Sequence, residues 1–433
     1  MFWWLSFLRP PQASATSDVE IIPQISNDLR TEQYPHPVDI YYTWSSIDST
    51  ITTEPVKLTT YRPENIHKLL SVPVPNARRH GDVHAVSWSL GLCVRRKRVL
   101  NNLSELSIPL GERGGLDDIL PVYSAPISLI RSSVQHDKSS KNPRQFRGAG
   151  KLDEIRRIFL LPASVATPLS PIQTNGPAPS WRSILISEKT SFDLDKKIWD
   201  SGIGLAAWLV HQKLITISQT QAKPVGHEDE DSQIHECIAA LSWLWAHPHR
   251  FLELGAGSGI VSVVLSALLS TTVSGENNHG LLDPQIYSSI HATDLPSALP
   301  LINRNVSSNC RLPPTSLETS AEGESNQVVI PSVGVLDWDD DTLPGSVLAS
   351  PPDVIIMSDV TYNTDSFPAL LKTLKNLLQL SPHARVILAY KERHEAERSA
   401  WPLFTKEAGI QLRKLDEIPG AGGAPVEIWF GSL

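Results

Sequence analysis

The stretch Phe251-Leu-Glu-Leu-Gly-Ala-Gly-Ser-Gly259 decides the fold of this chain. An apolar strand runs into three alternating glycines, and the apolar residues 259–269, which predict a helix, follow directly. Glycines let the backbone turn tightly and approach a ligand, and the start of the next helix offers free N–H groups. A dinucleotide-binding turn needs Gly or Ala three residues after its second glycine, where this chain has Ile260. The stretch therefore predicts a ligand-binding turn of another kind.

Strand and helix patterns alternate on both sides of this turn. The predicted strands are 184–186, 250–254, 290–293, 327–336, 354–358 and 385–390, and the predicted helices are 201–212, 236–246, 259–269, 296–309, 367–380 and 395–408. Two final strands, 411–415 and 426–431, follow each other without a helix between them. Alternating strands and helices build a parallel sheet that is covered on both faces, whereas directly connected strands pair antiparallel. We therefore predict an α/β fold with a parallel, doubly wound sheet whose last strand is antiparallel.

The first 175 residues have a different texture. They contain short β-prone runs, such as 38–44 and 83–88, which are separated by turn-rich segments. Residues 167–180 are rich in Pro, Ser and Asn, which is typical of a linker. We therefore predict a β-rich, loop-rich N-terminal extension over residues 1–175 and an α/β domain over residues 176–433.

Composition argues against several classes of protein. The 433 residues carry 38 Lys and Arg against 46 Asp and Glu, and the net charge of −8 disfavours nucleic-acid binding driven by bulk charge. Three cysteines that lie far apart exclude a disulfide framework and fit a reducing compartment. The apolar residues 1–8 are too few for a secretion signal or a membrane span. We expect a soluble cytoplasmic protein, and a nuclear one as well if the basic run 95–98 is an import signal rather than a solvated cluster.

Four histidines lie near one another in the sequence: His227, His235, His247 and His249. They lack Cys or carboxylate partners at the spacing of metal ligands. We therefore expect no metal site.

A carboxylate stands at the end of the strand after the glycine turn. Asp294 follows residues 290–293, and a polar loop around 274–278 places it further from Gly255 than the about 20 residues of the simplest units. A carboxylate at this point can accept hydrogen bonds from both ribose hydroxyls of a nucleoside. It can also cap the helix that follows, and the two roles are compatible.

Two further segments follow later strands. Asp337 and Trp338 come after the third strand, where a carboxylate can accept from an adenine amine and a ring can lie against the base; a buried structural Trp338 is the alternative. Ser358, Asp359 and Tyr362 come after the fourth strand. Because strand ends line the ligand crevice of a doubly wound sheet, we expect Asp359 and Tyr362 to meet the reacting group, unless they lie in a mere turn.

Together these segments resemble the seven-β-strand protein-lysine methyltransferases that modify non-histone proteins. The order Glu-x-Gly-x-Gly-x-Gly is similar to the first motif of S-adenosylmethionine-dependent methyltransferases, and the resemblance covers about residues 181–433, with the segment 197–206, an Asp-x-x-Tyr signature at 359–362 and the strand 386–393. It implies a class I methyltransferase sheet that binds S-adenosylmethionine. The cofactor-binding residues that we expect are Trp199, Glu253, Gly255, Gly257, Asp294 and Trp338, with Asp337 and Ser358 beside them at the strand ends.

The resemblance also implies the reaction, methylation of lysine side chains on a protein. We expect a monomer that binds its substrate transiently, with no nucleic acid and no membrane as partner. As catalytic residues we expect Asp359 to orient the ammonium and Tyr362 to hydrogen-bond the amine or pack against its methyl groups. A nucleic-acid amino-methyltransferase would carry Asn/Asp-Pro-Pro-aromatic after the fourth strand, whereas Pro351 and Pro352 precede that strand here. A small-molecule N-methyltransferase and a catalytically silent interaction protein are the alternatives. Residues 1–175 lie outside the resemblance, and we expect them to recognise the partner.

Overall fold

The N-terminal part of the computed structural model is built from strands. The structure describes residues 2–12, 14–15, 18–47, 51–75, 86–96, 101–108, 119–129, 152–162, 164–165, 181–191, 193–221, 243–273, 287–310, 325–420 and 423–433. Its first elements are β1 (Trp3–Arg9), β2 (Ser14–Ala15), β3 (Val19–Ser26), β4 (Val38–Ser46), β5 (Val56–Tyr61), β6 (Leu70–Val72), β7 (Val86–Cys93), β8 (Asn101–Asn102), α1 (Leu103–Leu106), β9 (Ile119–Leu120), β10 (Val122–Ser124), β11 (Ile127–Leu129), β12 (Glu154–Pro162) and β13 (Trp181–Lys189).

Strands and helices alternate in the C-terminal part. The elements are α2 (Asp200–Gln221), β14 (Arg250–Leu254), α3 (Ile260–Leu269), β15 (Thr271–Val273), β16 (Ser289–Asp294), α4 (Leu299–Asn309), β17 (Ser325–Gln327), β18 (Ser332–Val335), α5 (Gly345–Ala349), β19 (Val354–Ser358), α6 (Phe367–Leu380), β20 (Arg385–Lys391), α7 (Ala400–Ala408), β21 (Gln411–Ile418) and β22 (Val426–Ser432). Short 3₁₀ helices span Pro63–Asn65, Leu194–Lys196, Thr364–Ser366 and Glu395–Ser399. None of the helices in the described ranges combines the length and the apolar composition that crossing a bilayer requires.

Seven strands form one sheet in the order β18-β16-β14-β19-β20-β22-β21. Neighbours pair parallel except that β22 is antiparallel to both β20 and β21. The predicted α/β fold with an antiparallel last strand is thereby confirmed. The chain starts this sheet at β14, moves outward to β18 and returns to β19, so the strand order reverses between β14 and β19. Ligands of doubly wound sheets bind at such a reversal, beyond the carboxyl ends of the strands.

The central strands are apolar on both faces because both faces are covered. Val354 and Ile356 of β19 pack into the core that α2, α3 and α4 share, whereas Ile355 and Met357 pack against α6 and α7. Successive side chains of a strand point to opposite faces of the sheet. A strand that is buried on both faces therefore does not alternate between apolar and polar residues. This is why residues 354–357 form a continuous apolar run.

Several element bounds differ from the sequence-based expectation. The predicted strand 327–336 is two separate strands, β17 and β18, and Pro331 between them has no N–H to donate to a ladder. Helix α2 continues to Gln221, beyond the expected end at residue 212. Of the predicted helix 236–246, residues 243–246 are helical, and the rest lies outside the described residues, as do the predicted linker 167–180 and the boundary at 175.

The apolar residues at the start of the chain are a core strand. One N-terminal sheet has the order β6-β3-β1-β9, and the larger one runs β13-β12-β10-β7-β11-β2, with β4, β5 and β8 attached. Trp3 and Leu5 of β1 face a core made of N-terminal residues, whereas Trp4 and the preceding residue Phe2 face the core that contains α2 and α3. The N-terminal sheets and the seven-stranded sheet are therefore joined by a shared core.

Two asparagines of α4 join that helix to the edge of the larger N-terminal sheet. Asn305 Oδ1 accepts from the backbone N–H of Ser187 at 2.9 Å, and Asn309 Oδ1 accepts from that of Leu185 at 2.8 Å. Both side-chain amides also donate to the carbonyls of the same two strand residues. Four helical residues rise about 6 Å, close to the span of two strand residues, so both amides fit one strand. This strand is β13, which pairs with β12 although it lies beyond residue 175.

Candidate functional site

A cavity of about 400 Å³ opens where β14 and β19 end. This volume falls within the roughly 300–1,000 Å³ of ligand pockets, and the position is the reversal point of the sheet. Nine of the ten predicted site residues line it: Trp199, Gly255, Gly257, Asp294, Asp337, Trp338, Ser358, Asp359 and Tyr362. Glu253 does not line this cavity. Sequence reasoning missed several lining residues, among them Leu194, Asp195, Leu295, Leu336, Asp339 and Val360.

The glycine turn supplies the floor of this cavity. Gly255, Gly257 and Gly259 all have left-handed backbones, with φ of 65°, 57° and 75°. Glycine adopts this conformation at no steric cost, whereas other residues are strained there. The turn leaves the N–H of Gly257 free to donate to Asp294 Oδ2 at 2.7 Å, so it brings the first and second motifs together.

Replacing Gly255 with alanine is expected to destabilise the protein by about 1–2 kcal/mol, the cost of a left-handed residue with a Cβ. The added Cβ would lie 3.1 Å from Val360 Cγ1 and 3.4 Å from Trp338 Cζ2, so both cavity walls would shift. Urea unfolding measures the loss. Gly345→Ala is the matched control, because nothing lies within 4 Å of its Cβ. Equal effects of the two substitutions would contradict the tight packing at Gly255.

Asp294 ends β16 beside the glycine turn. Its Oδ2 accepts from Gly257 N, and its Oδ1 accepts from the backbone N–H of Leu295 at 2.7 Å. Burial raises the pKa of Asp294, against the effect of these two hydrogen bonds. Each carboxylate oxygen can accept a further hydrogen bond. The carboxylate thus contacts the glycine turn at the wall of the cavity and is suited to accept from a diol.

Glu253 is a structural carboxylate between β14 and α3. Its Oε2 accepts from the backbone N–H of Ser262 at 3.1 Å and from the Ser262 hydroxyl. Its Oε1 is buried and has no hydrogen-bond partner among the described residues. Burial raises the pKa of Glu253 to about 7. Glu253 therefore links the strand to the helix that follows the glycine turn, and its contact with the cofactor stays a prediction.

The buried carboxyl of Glu253 makes stability depend on pH. The pKa rises from 4.5 to about 7 on folding, so the folded state binds more protons than the unfolded state between those values. Stability must then fall as pH rises through this window. Glu253→Gln carries no charge and is expected to be more stable than wild type at pH 8, by up to about 3 kcal/mol, but not at pH 4.

Urea unfolding at pH 4 and pH 8 measures this difference. Glu427→Gln is the control, because the Glu427 carboxylate accepts from Arg398 Nη1 at 2.8 Å and its pKa is lowered. That substitution is expected to lose stability at pH 8. A Glu253→Gln protein that is less stable than wild type at pH 8 would show that folding favours the charged carboxylate, which contradicts the raised pKa of Glu253.

The cavity is lined by both carboxylates and apolar side chains. Asp195, Asp337, Asp339 and Asp365 add negative charge to that of Asp294, while Leu336, Trp338, Val360 and Ala369 supply apolar walls. S-adenosylmethionine carries a sulfonium cation, a ribose diol and an adenine ring. Negative charge suits the sulfonium, a buried carboxylate suits the ribose diol, and an aromatic wall suits the adenine ring. The residues present therefore fit the cofactor that the sequence resemblance implies.

Asp359 lines the cavity from a strained turn after β19. It is a non-glycine residue with a φ of 56°, a conformation that the surrounding contacts must hold. Its Oδ2 accepts from the backbone N–H of Ser201 at 3.0 Å, and its Oδ1 accepts from Arg393 Nη1. The carboxylate that we expected to be available for an ammonium is already paired with a guanidinium.

A second cavity of about 260 Å³ adjoins the first. Its walls are Leu29, Leu194, Trp199, Asp359, Tyr362, Arg393 and Glu397. The residues Leu194, Trp199, Asp359 and Tyr362 line both cavities. Tyr362 is about half exposed, and burial of the rest raises its pKa. The predicted catalytic pair therefore stands where the two cavities meet.

Local contacts fix the remaining walls. The Trp199 indole donates to the carbonyl of Leu194 at 2.9 Å, which holds the ring beside the 3₁₀ turn. Glu397 Oε2 accepts from the Tyr390 hydroxyl at 3.1 Å and from the Arg393 backbone N–H at 3.2 Å. Neither Leu194 nor Glu397 has a motif that could have predicted its place, because each reaches the cavity through tertiary contacts.

The histidines do not build a metal site within the described ranges. No group of three or more His, Cys, Asp or Glu in that part of the chain is placed to hold a metal ion. His249 Nε2 lies 3.1 Å from the carbonyl of Trp243, and the ring packs on that indole. His227 and His235 lie outside the described residues.

Comparison with known proteins finds lysine methyltransferases, as the sequence resemblance implies. A family model described as lysine methyltransferase matches residues 181–405. EEF1A lysine methyltransferase 3 of Mus musculus is 32% identical over 170 residues, which are 39% of this chain and 57% of that protein. Protein-lysine N-methyltransferase EFM6 of Saccharomyces cerevisiae is 26% identical over 153 residues, 34% of this chain and 52% of that protein. The chain spans little more than half the length of these relatives.

Among solved structures, one that this chain matches is the apo form of the S-adenosylmethionine-dependent methyltransferase SibL. It is 14% identical, with 53% of this chain and 57% of that chain covered, and its TM-score of 0.28 is too low to add to the topology described above. The family model covers more than half of the chain, including the glycine turn, Asp294 and the Asp359–Tyr362 segment. The chain belongs to the lysine methyltransferase family.

Proposed function

We propose that this chain is an S-adenosylmethionine-dependent methyltransferase that methylates lysine side chains of a protein. The observation that carries the proposal is the pair of cavities whose common wall includes Trp199, Asp359 and Tyr362. The larger cavity offers the carboxylate and aromatic groups that suit a nucleoside, and the smaller offers a narrow, largely apolar space for an alkyl amine. A methyl group held at their junction can pass from one to the other.

The larger cavity holds the cofactor in this proposal. Asp294 accepts from the ribose hydroxyls, Trp338 lies against the adenine, and Asp337 accepts from the adenine amine. When bound, S-adenosylmethionine supplies a methyl group whose S–C bond breaks as the lysine nitrogen forms the new N–C bond, which leaves S-adenosylhomocysteine. Gly255 and Gly257 let the backbone come close to the cofactor.

The smaller cavity prepares the amine. A free lysine has a pKa near 10.4, so only about one molecule in a thousand is uncharged at neutral pH. Leu29, Leu194 and Trp199 present apolar surface to the amine once the substrate fills the cavity, and this burial favours the neutral form. The proton then leaves to solvent before transfer. Asp359, held between Ser201 N and Arg393, orients the nitrogen, and Tyr362 packs against the entering carbon or hydrogen-bonds the amine.

Elongation factor EEF1A is the first acceptor to test, because one relative is named as its lysine methyltransferase. Purified chain, labelled S-adenosylmethionine and bacterially produced elongation factor should give labelled protein, and mass spectrometry should find methyl-lysine. A parallel reaction with small alkyl amines and nucleosides tests the small-molecule alternative. Label on small amines but on no protein, in this reaction or in a cell lysate, would overturn the lysine proposal.

The roles of Asp359 and Tyr362 are tested separately. Asp359→Asn and Tyr362→Phe are expected to lower the rate of methyl transfer by about 100-fold and about tenfold, the range for groups that position a reactant. Calorimetry with S-adenosylhomocysteine should find an affinity close to that of wild type for both variants. Full transfer activity of both would contradict these roles and leave the cofactor site unaffected.

A further inference from the structure

The N-terminal strands contribute a wall of the smaller cavity. Leu29, which lies in the turn after β3, lines that cavity together with Trp199 and Tyr362. Leu29 is 40% exposed, so much of its surface is open to solvent and to the cavity that it lines. The shape of the smaller cavity therefore depends on a residue far outside the α/β domain.

The turn that carries Leu29 is held in one conformation. Asn27 Oδ1 accepts from the backbone N–H groups of Thr31 at 2.9 Å and Glu32 at 3.3 Å, and Arg30 N donates to the Asn27 carbonyl at 3.1 Å. Arg30 has a φ of 60° and, with Asp359, is one of two non-glycine residues of positive φ in the described chain. Such strain persists only where the surroundings over-determine the backbone, and it concentrates at functional sites.

Asp28 anchors this turn to the end of β20. Its side chain is 1% exposed, and its carboxylate accepts from Lys391 Nζ at 3.2 Å and from Arg393 Nη2 at 2.8 Å. It also accepts from the Asp200 backbone N–H at 3.3 Å. Although burial opposes its charge, Arg393 and Lys391 keep the pKa of Asp28 below its usual range. The anchor is therefore an ionised carboxylate that accepts from Lys391, Arg393 and the backbone N–H groups of Asp200 and Leu29.

Arg393 connects Asp28 to the junction of the two cavities. Arg393 donates Nη2 to Asp28 and Nη1 to Asp359, so one guanidinium joins the N-terminal turn to the predicted catalytic carboxylate. A second connection runs through Asp200, which accepts from the backbone N–H of Phe2 at 3.0 Å and from the Trp4 indole at 2.8 Å. A shift of the N-terminal strands would therefore displace Asp28, Asp200 and Arg393 jointly.

We propose that the Asp28–Leu29 turn is a built-in, specificity-determining part of the amine site. Leu29 sets the width of the channel and thereby the acceptors and methylation states that it admits, and Asp28 positions that leucine and Arg393. This inference rests on the proposed lysine methylation. It differs from a role of the N-terminal residues as a separable module that only recruits a partner, because the wall is completed within one chain.

Point substitutions in the full-length chain test the proposal, since removal of β1 would open the shared core. Leu29→Trp fills the channel and is expected to lower kcat/KM for methylation of the elongation factor by about tenfold or more. The same variant should give fewer methyl groups per lysine by mass spectrometry. Leu29→Ala removes the wall and is expected to raise KM about three- to tenfold through lost apolar contact with the lysine stem.

Leu8→Trp and Leu8→Ala are the matched controls, because Leu8 of β1 is 43% exposed and lines neither cavity. All four variants should bind S-adenosylhomocysteine as wild type does by calorimetry, which shows that they are folded. If wild type is active and the Leu29 variants match the Leu8 variants in kinetics and methylation state, this inference is wrong and the proposed function stands. If wild type methylates no protein lysine, the proposed function fails, and the inference fails with it.

Discussion

Asp294→Ala is expected to weaken the binding of S-adenosylhomocysteine by two orders of magnitude or more. The carboxylate accepts from Gly257 N and Leu295 N and keeps acceptor capacity for two hydroxyls. Hydrogen bonds to a charged group contribute about 1.5–3 kcal/mol each. The loss of two such bonds corresponds to about 10²–10⁴ in the dissociation constant. Isothermal titration calorimetry measures the change, and methyl transfer should fall in parallel at limiting cofactor.

The control for this prediction is an aspartate of the same domain outside the cavity. Asp341 is exposed, and its carboxylate lies 3.2 Å from Lys372 Nζ, so Asp341→Ala should bind as wild type does. Asp294→Asn retains one carbonyl oxygen and should fall between the alanine variant and wild type. Equal binding by the Asp294→Ala and Asp341→Ala proteins, with both folded by circular dichroism, would refute the assignment of Asp294 to the ribose and remove the basis of the cofactor site.

Arg393→Met is expected to destabilise the protein by about 3–5 kcal/mol, the usual cost of removing one partner of a buried ion pair. Arg393 is 10% exposed and bridges Asp28 and Asp359, whose side chains are 1% and 7% exposed. Methionine fills much of the space but leaves two buried carboxylates without that donor. Urea unfolding at pH 7.5 measures the change in the free energy of unfolding, and methyl transfer should be abolished because Asp359 loses its position.

Arg398→Met is the matched control for this substitution. Arg398 also bonds a carboxylate, that of Glu427, but it is 38% exposed, so its loss is expected to cost about 1 kcal/mol or less. The lowered pKa of Asp28 means that its pairing contributes stability above its ordinary pKa of about 3.9, and that this contribution is lost as pH falls. The gap between wild type and Arg393→Met should therefore narrow in acid. If Arg393→Met and Arg398→Met lower the free energy of unfolding equally, the buried ion pairs of Arg393 stabilise the protein no more than the exposed pair of Arg398.

The sequence predicted the C-terminal fold closely because the signals are local. Residues 250–254, 354–358 and 367–380 have the bounds that their patterns predict, since each apolar run is set by the period of one element. The glycine turn and Asp294 were found together because both follow strands that must end at the same edge of a parallel sheet. Nothing in this reasoning needs a contact between distant residues.

Glu253 marks the limit of that reasoning. A carboxylate two residues before the glycine turn looks the same in sequence whether it reaches a ligand or a helix. The structure places it against Ser262 of α3, and it does not line the cavity. The missed residue Glu397 is similar, since its partners Tyr390 and Arg393 are assembled by the packing of a 3₁₀ turn against β20.

By itself the sequence determined the doubly wound sheet, the glycine turn and the carboxylate that faces it, because each depends on spacing within one strand–turn–helix unit. Only the tertiary structure decided what closes the amine site. Asp28 and Arg393 are 365 residues apart, and neither carries a local signal of the other. Their pairing follows from the burial of β1 and β3 against the start of α2, where an ionised carboxylate without water must find a cation. Contacts of that kind exist only after the chain has folded.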